Sequence, residues 1–163
     1  MKILLFPDPG LREKSEPAGK SSGESREIIE KLVSVMKKSK GCVGIAAPQL
    51  GIHKRVVVVD VSGNKKAEKK SGLLVLVNPR IVSKKGTSVN REGCLSVPDF
   101  TGNVARAEVI VVEYFDADFN KRTLSTSGFE AIAVQHEIDH LDGILFIDRI
   151  TNMKRDLFKR KKY

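Results

Sequence analysis

The sequence predicts an α+β domain in which antiparallel or mixed β-sheets surround one buried helix. Three observations carry this. A β-branched run covers residues 55–61, and strand-like stretches recur as far as about 125. From Ser127 the apolar spacing switches from strand to helix. With 163 residues, the chain is sized for a single catalytic domain, 1–163. A domain of that size buries roughly two-thirds of its extended-chain surface on folding.

The first 23 residues are broken by Pro7, Pro9, Gly10, Pro17, Gly19 and Gly23 and read as turns. Residues 24–40 place Ile28, Ile29, Leu32, Val33 and Met36 on one helical stripe, with Arg26, Lys31, Lys37 and Lys38 opposite and Gly41 as a stop. The glycine- and alanine-rich stretch 41–51 contains Pro48 and reads as a tight loop. The run Val56-Val57-Val58-Val59 reads as a buried strand. Residues 62–72 are polar and lysine-rich without interleaved aromatics, a solvated loop. Residues 73–82, interrupted by Asn78-Pro79, form the next strand, and 86–90 a short edge strand. Residues 104–116 are the longest β signal, with 121–125 pairing across the Asp118-Phe119-Asn120 turn.

Ser127 and Glu130 have capping-box spacing at the start of the next helix. Apolar residues occupy most of that helix's circumference, so burial on nearly all sides is expected, with Gly143 as its stop. Ile150, Met153, Leu157 and Phe158 recur at helical spacing and predict a basic C-terminal helix or tail at about 151–163. Residues 154–163 hold six basic residues against Asp156, in a chain of net charge +9. Such a run attracts polyanions.

No apolar run approaches the roughly 20 residues that span a bilayer. The N-terminus lacks the apolar core and cleavage site of a signal peptide. A cytoplasmic location is expected, with no membrane or DNA partner. Two cysteines, Cys42 and Cys94, make no disulfide framework.

Chemistry concentrates in His136-Glu137-Ile138-Asp139-His140. Residues four apart on an α-helix lie about 40° apart on one face, so the two imidazoles can share one metal ion. Glu137 stands beside the first ligand, close to any water on that ion. Two histidines make a poor site alone, and the chain has only one other, His53, in a turn-like cationic context. Cys42 stands at a likely strand start and could equally be a small core residue. Cys94 is the stronger third ligand, because Gly93 and Pro98 mark irregular backbone able to aim a side chain. One thiolate and two imidazoles leave a fourth tetrahedral position open, the layout of a catalytic site.

Three segments occur in order: Gly44-Ile45-Ala46-Ala47-Pro48-Gln49, Glu92-Gly93-Cys94-Leu95-Ser96 and Gln135-His136-Glu137-Ile138-Asp139-His140. Together they resemble the three signature motifs of the peptide deformylases, and the resemblance runs from the N-terminal region to about Ile150. It implies removal of the N-formyl group from the initiator methionine of nascent peptides, with release of formate. It implies that Cys94, His136 and His140 hold one divalent metal, usually Fe(II), with zinc, nickel or cobalt able to replace it. Glu137 would be general base and then general acid. The Gln49 side-chain amide and the Leu95 backbone N–H would stabilise the oxyanion. Gly44 would contact the substrate backbone, while Val43, Phe129, Ile132 and Ala133 would form the methionine pocket.

Two positions depart from the pattern. Cys42 stands where many members have a glycine, placing an oxidation-prone thiol near the site. Thr101 stands where many have an arginine. Asp139 reads as a residue supporting the ligands or capping the helix. Two other functions compete. A zinc metallopeptidase would require a downstream His or Glu ligand, and no histidine follows His140. A basic RNA- or ribosome-binding module would bind no metal. The basic C-terminus could also serve the first reading, by bringing a deformylase to the ribosome.

Overall fold

The structure is a computed structural model in which residues 2–20 and 23–161 are described. Its strands form two sheets with antiparallel pairing throughout. The larger holds, in spatial order, β1 (Gly44–Ala46), β2 (Val56–Val59), β3 (Leu74–Lys85), β6 (Val109–Phe115) and β7 (Lys121–Ser127). The smaller holds β4 (Ser88–Cys94), β5 (Val97–Arg106) and β8 (Leu157–Lys159). The helices are α1 (Glu24–Lys38), α2 (Gly128–Leu141) and a single turn, α3 (Met153–Asp156). This is the expected α+β arrangement.

The valine run of β2 explains how the large sheet is covered. Val57 and Val59 pack toward Ala131, Val134 and Ile138 of α2. Val56 and Val58 pack toward Ile28, Leu32 and Met36 of α1. Neither face meets water, so no polar alternation is needed. Each fully buried valine contributes about 1.5–3 kcal/mol. In α1, Glu24 and Glu27 lie in the first turn and Lys37 and Lys38 in the last, matching the helix dipole.

Every residue from 130 to 141 of α2 is buried. That includes the polar Glu130, Gln135, His136, Glu137, Asp139 and His140. Buried polar groups require partners, and finding them shapes the surrounding chain.

Several expectations change. The long signal at 104–116 splits between sheets, β5 ending at Arg106 and β6 starting at Val109. The break has a local cause. The Gln135 amide bonds both backbone groups of Ala107, accepting from its N–H at 3.1 Å and donating to its carbonyl at 2.9 Å. Glu130 does not close a capping box. Its carboxylate accepts instead from Thr126 Oγ1 (2.7 Å), Ser71 Oγ (2.6 Å) and the Ser71 N–H (2.7 Å). The polar loop before β3 is therefore tied to α2, with Ala67 buried in the core. The short edge strand is longer than expected and ends on Cys94.

At the C-terminus the predicted amphipathic helix is one turn, followed by β8. Leu157 and Phe158 are successive residues of a strand and serve different sides. Leu157 joins the small-sheet core with Val97, Val104 and Phe146, while Phe158 lies 3.7 Å beneath the Arg91 guanidinium.

Gly143 ends α2 with φ +72°, and a Cβ there would collide with the Arg12 carbonyl. Both backbone conformation and space exclude a side chain. Gly143→Ala should lower the unfolding free energy by about 2–4 kcal/mol in urea titration. An unchanged midpoint would show that this corner constrains nothing.

Candidate active site

The bulge between Glu92 and Cys94 lets Cys94 end β4 with its thiol turned toward α2. His136 and His140 lie one helical turn apart. The ligating atoms of these three buried residues all lie within 4.8 Å of one another. Cys94 Sγ is 3.4 Å from His140 Nε2. The other two sequence candidates are elsewhere occupied. His53 lies against the Gly10 carbonyl at 2.9 Å and Glu13 at 3.2 Å. The Cys42 thiol donates to the Gly44 carbonyl at 3.1 Å.

The donor set fits a divalent transition-metal ion. A soft cysteine sulfur and two imidazoles converge, and Glu137 Oε1, buried beside them, has no hydrogen-bond partner among the described residues. Glu137 is held close by Gly44, where a Cβ would come within 2.9 Å of its carboxylate. Burial raises the Glu137 pKa to about 7, against the pull of His136. Burial and then the Glu137 charge raise the Cys42 pKa to about 11. The expected oxidation-prone thiol is thus a protonated hydrogen-bond donor with little thiolate character.

Behind the ligands lies a chain of ion pairs. His136 Nδ1 is 2.8 Å from Glu92 Oε1. Arg106 donates twice to Glu92, at 2.8 and 2.9 Å, and once to Asp139 at 2.5 Å. Arg149 donates to both oxygens of Asp139, at 2.6 and 2.7 Å. Burial disfavours the Glu92 charge, but bonds from Arg106 and His136 outweigh it and lower its pKa to about 2. An ionised Glu92 holds the proton on His136 Nδ1 and frees Nε2 to ligate. Asp139 is therefore a node of this chain and not a helix cap. Glu92, Arg106 and Arg149 had no assigned role in the sequence reading. Arg106, a charge inside a β signal, was the one available clue.

Gln49 sits in a 3-10 turn, Ala47–Leu50, with its Oε1 accepting from the Ala46 N–H at 2.9 Å. That bond turns Nε2 toward Ser96 Oγ (3.1 Å) and Cys94 Sγ (3.6 Å). A cleft of about 400 Å³ is lined by Val43, Gly44, Gln49, Cys94, Leu95, Phe129, Ile132, Ala133, His136 and Glu137. The structure thus brings the sequence-predicted residues to one place, with His140 just behind the wall. Thr101 pairs with Phe158 across β5 and β8, beside Gly93.

A cysteine sulfur, two imidazoles and a buried carboxylate in an antiparallel α+β frame have the make-up of a metal-dependent hydrolase. The polypeptide deformylase family model matches residues 1–156. A peptide deformylase of Thermodesulfovibrio yellowstonii is 40% identical over 161 residues, covering 99% of this chain and 95% of that one. One from Xylella fastidiosa is 41% identical over 164 residues, covering 99% and 93%. A Met-Ala-Ser-bound class I type b peptide deformylase from Acinetobacter baumannii superposes with TM-score 0.86 at 34% identity, covering 92% of this chain and 98% of that one. The chain belongs to the peptide deformylase family, metal-dependent hydrolases that remove the N-formyl group from nascent polypeptides. The metallopeptidase and RNA-module readings give way to this one.

Glu92→Gln keeps the shape but weakens the acceptor that orients His136. It should raise the metal dissociation constant about 10–100-fold, read by competition with a chelator. Retention equal to the parent protein would remove Glu92 from metal binding.

Proposed function

We propose that the chain acts as a single catalytic domain, 1–163, in the cytoplasm, and deformylates N-formylmethionyl nascent peptides. Cys94, His136 and His140 hold one divalent ion, Fe(II), with zinc, nickel or cobalt as alternatives. The observation that carries this reading is the convergence of those three donors, Glu137 and the Gln49 amide at one end of one cleft. When bound, the ion supplies Lewis acidity, which lowers the pKa of a water toward about 7.

The protein's own groups do the rest. Glu137 takes a proton from the attacking water and gives it to the amide nitrogen as the C–N bond breaks. Formate and a free α-amine result. Gln49 Nε2 and the Leu95 N–H donate to the oxygen of the tetrahedral intermediate, each worth about 3 kcal/mol in such sites. Val43, Phe129, Ile132 and Ala133 receive the methionine side chain, and Gly44 faces the substrate backbone. Gly44 has a second duty, since only a residue without Cβ leaves room for Glu137.

Glu137→Gln should retain bound metal and release formate from a formyl-methionyl peptide about 10²–10⁴-fold more slowly. Anaerobic purification with metal analysis identifies the ion in the same preparation. Undiminished turnover would remove Glu137 from the reaction, and a metal-free, inactive parent protein would overturn the reading itself.

The ribosome is a proposed partner through the exposed Lys154, Lys159 and Lys161. Because β8 is built into a sheet, charge reversal is a cleaner probe than deletion. Changing the three lysines to glutamate should abolish low-salt cosedimentation with ribosomes, and unchanged cosedimentation would reject this surface.

A further inference from the structure

Of the cations in the cleft wall, Lys40, Lys66, Arg91 and Arg160, the last stands next to the strand end that carries Cys94. Arg160 follows β8, and its N–H donates to the Asp99 carbonyl at 2.9 Å, one step beyond the Phe100–Lys159 pair. Its guanidinium lies over Gly93, the residue before the ligand Cys94. A Cβ at Gly93 would stand 2.5 Å from Nη2 and 3.5 Å from Cζ. Arg160 lines the same cleft as the catalytic residues. Among the described residues it forms no salt bridge.

The backbone that carries it is anchored. Phe158 lies under Arg91, Asn103 donates to Asp156 at 3.2 Å, and Leu157 enters the small-sheet core. Arg160 is therefore an exposed guanidinium one residue beyond a paired strand, lining the cleft and in no ion pair among the described residues. The inner end of the cleft takes the formyl group and the methionine. Gly93 and Arg160 line the same cleft, so the rest of a peptide has them within reach. Side chains there vary from one nascent chain to the next, and the constant acceptors are main-chain carbonyls. A planar fork of N–H donors suits them.

We propose that Arg160 is a substrate-positioning residue that donates to a main-chain carbonyl of the peptide beyond its methionine. The C-terminal strand is then part of the substrate site, and Arg160 lets the enzyme prefer a peptide over a lone formylated amino acid. Gly93 fits this role, because any side chain there would displace the guanidinium.

The inference rests on the formyl-peptide reading of the site. Its test uses the metal-loaded full chain and two substrates, formyl-Met-Ala-Ser amide and formyl-Met amide. Both lack a free carboxylate that could attract an arginine nonspecifically. In Arg160→Ala, the ratio of their kcat/KM values should fall about tenfold, the size of one charge-assisted hydrogen bond, with the loss mainly in KM. Arg160→Lys should recover part of the ratio. Calorimetric affinity for Met-Ala-Ser amide, which undergoes no chemistry, should fall by a similar factor. An unchanged ratio and affinity would overturn the inference. So would an equal loss on both substrates, which would mean that Arg160 only supports the fold. If the parent protein releases no formate, the reading of the site fails, and the affinity for Met-Ala-Ser amide alone decides for or against Arg160.

Discussion

Arg106, with its side chain 3% exposed, holds two carboxylates at once, Glu92 on β4 and Asp139 on α2. Arg149 completes the group from the turn after α2, a half-exposed guanidinium at the outer end of the buried Glu92–Arg106–Asp139 set. Such a group adds little net stability, because desolvation offsets much of the Coulomb gain. Removing one member is another matter and costs about 3–5 kcal/mol, since it strands a buried charge. What the group provides is position. It links the strand that carries Cys94 to the helix that carries both histidines, through side chains with few alternative arrangements. It also fixes the ring of His136, whose outer nitrogen is bound to Glu92.

Helix α2 serves three surfaces with three sets of residues. Ala131, Val134, Ile138 and Leu141 pack against the large sheet. Gln135 and Asp139, four apart, hold the corner where β5 gives way to β6. His136 and His140, also four apart and one residue further round, present their nitrogens to Cys94. Adjacent stripes of this kind are offset by about 100°, so the ligands and their supports lie on neighbouring faces of one rigid element. The spacing of the two histidines is thereby set by the backbone of a buried helix, while Cys94 comes from the end of β4.

Much of this was readable in the sequence where a residue's role depends on near neighbours. The valine run, the stripe of α1 and the i, i+4 histidines are local patterns, and the structure keeps them. Cys94 was legible as a ligand candidate because glycine and proline flank it. The unread parts depend on residues distant in sequence. Glu130 looked like a cap because Thr126 and Ser71 were not visible as its partners. Residues 104–116 looked like one strand because nothing nearby shows that Gln135 will occupy Ala107. Leu157 and Phe158 fit a helical stripe as well as a strand, and only the open edge of β5 decides between them. Arg106 and Arg149 carry no motif, since their meaning lies in carboxylates that other elements bring to them.

Cys42 shows how a departure from the family pattern can be absorbed next to the reacting groups. A thiolate there would place a negative charge near the Glu137 carboxylate. Burial and the Glu137 charge together push the Cys42 pKa to about 11, so the thiol keeps its proton. That proton goes to the carbonyl of Gly44, the residue whose missing side chain admits the Glu137 carboxylate. The thiol thus braces the stretch of backbone against which the Glu137 carboxylate rests, and it adds no charge to the site. The larger residue costs some conformational freedom relative to glycine. In return the β1 edge of the cleft gains a hydrogen bond at the residue that the Glu137 carboxylate packs against.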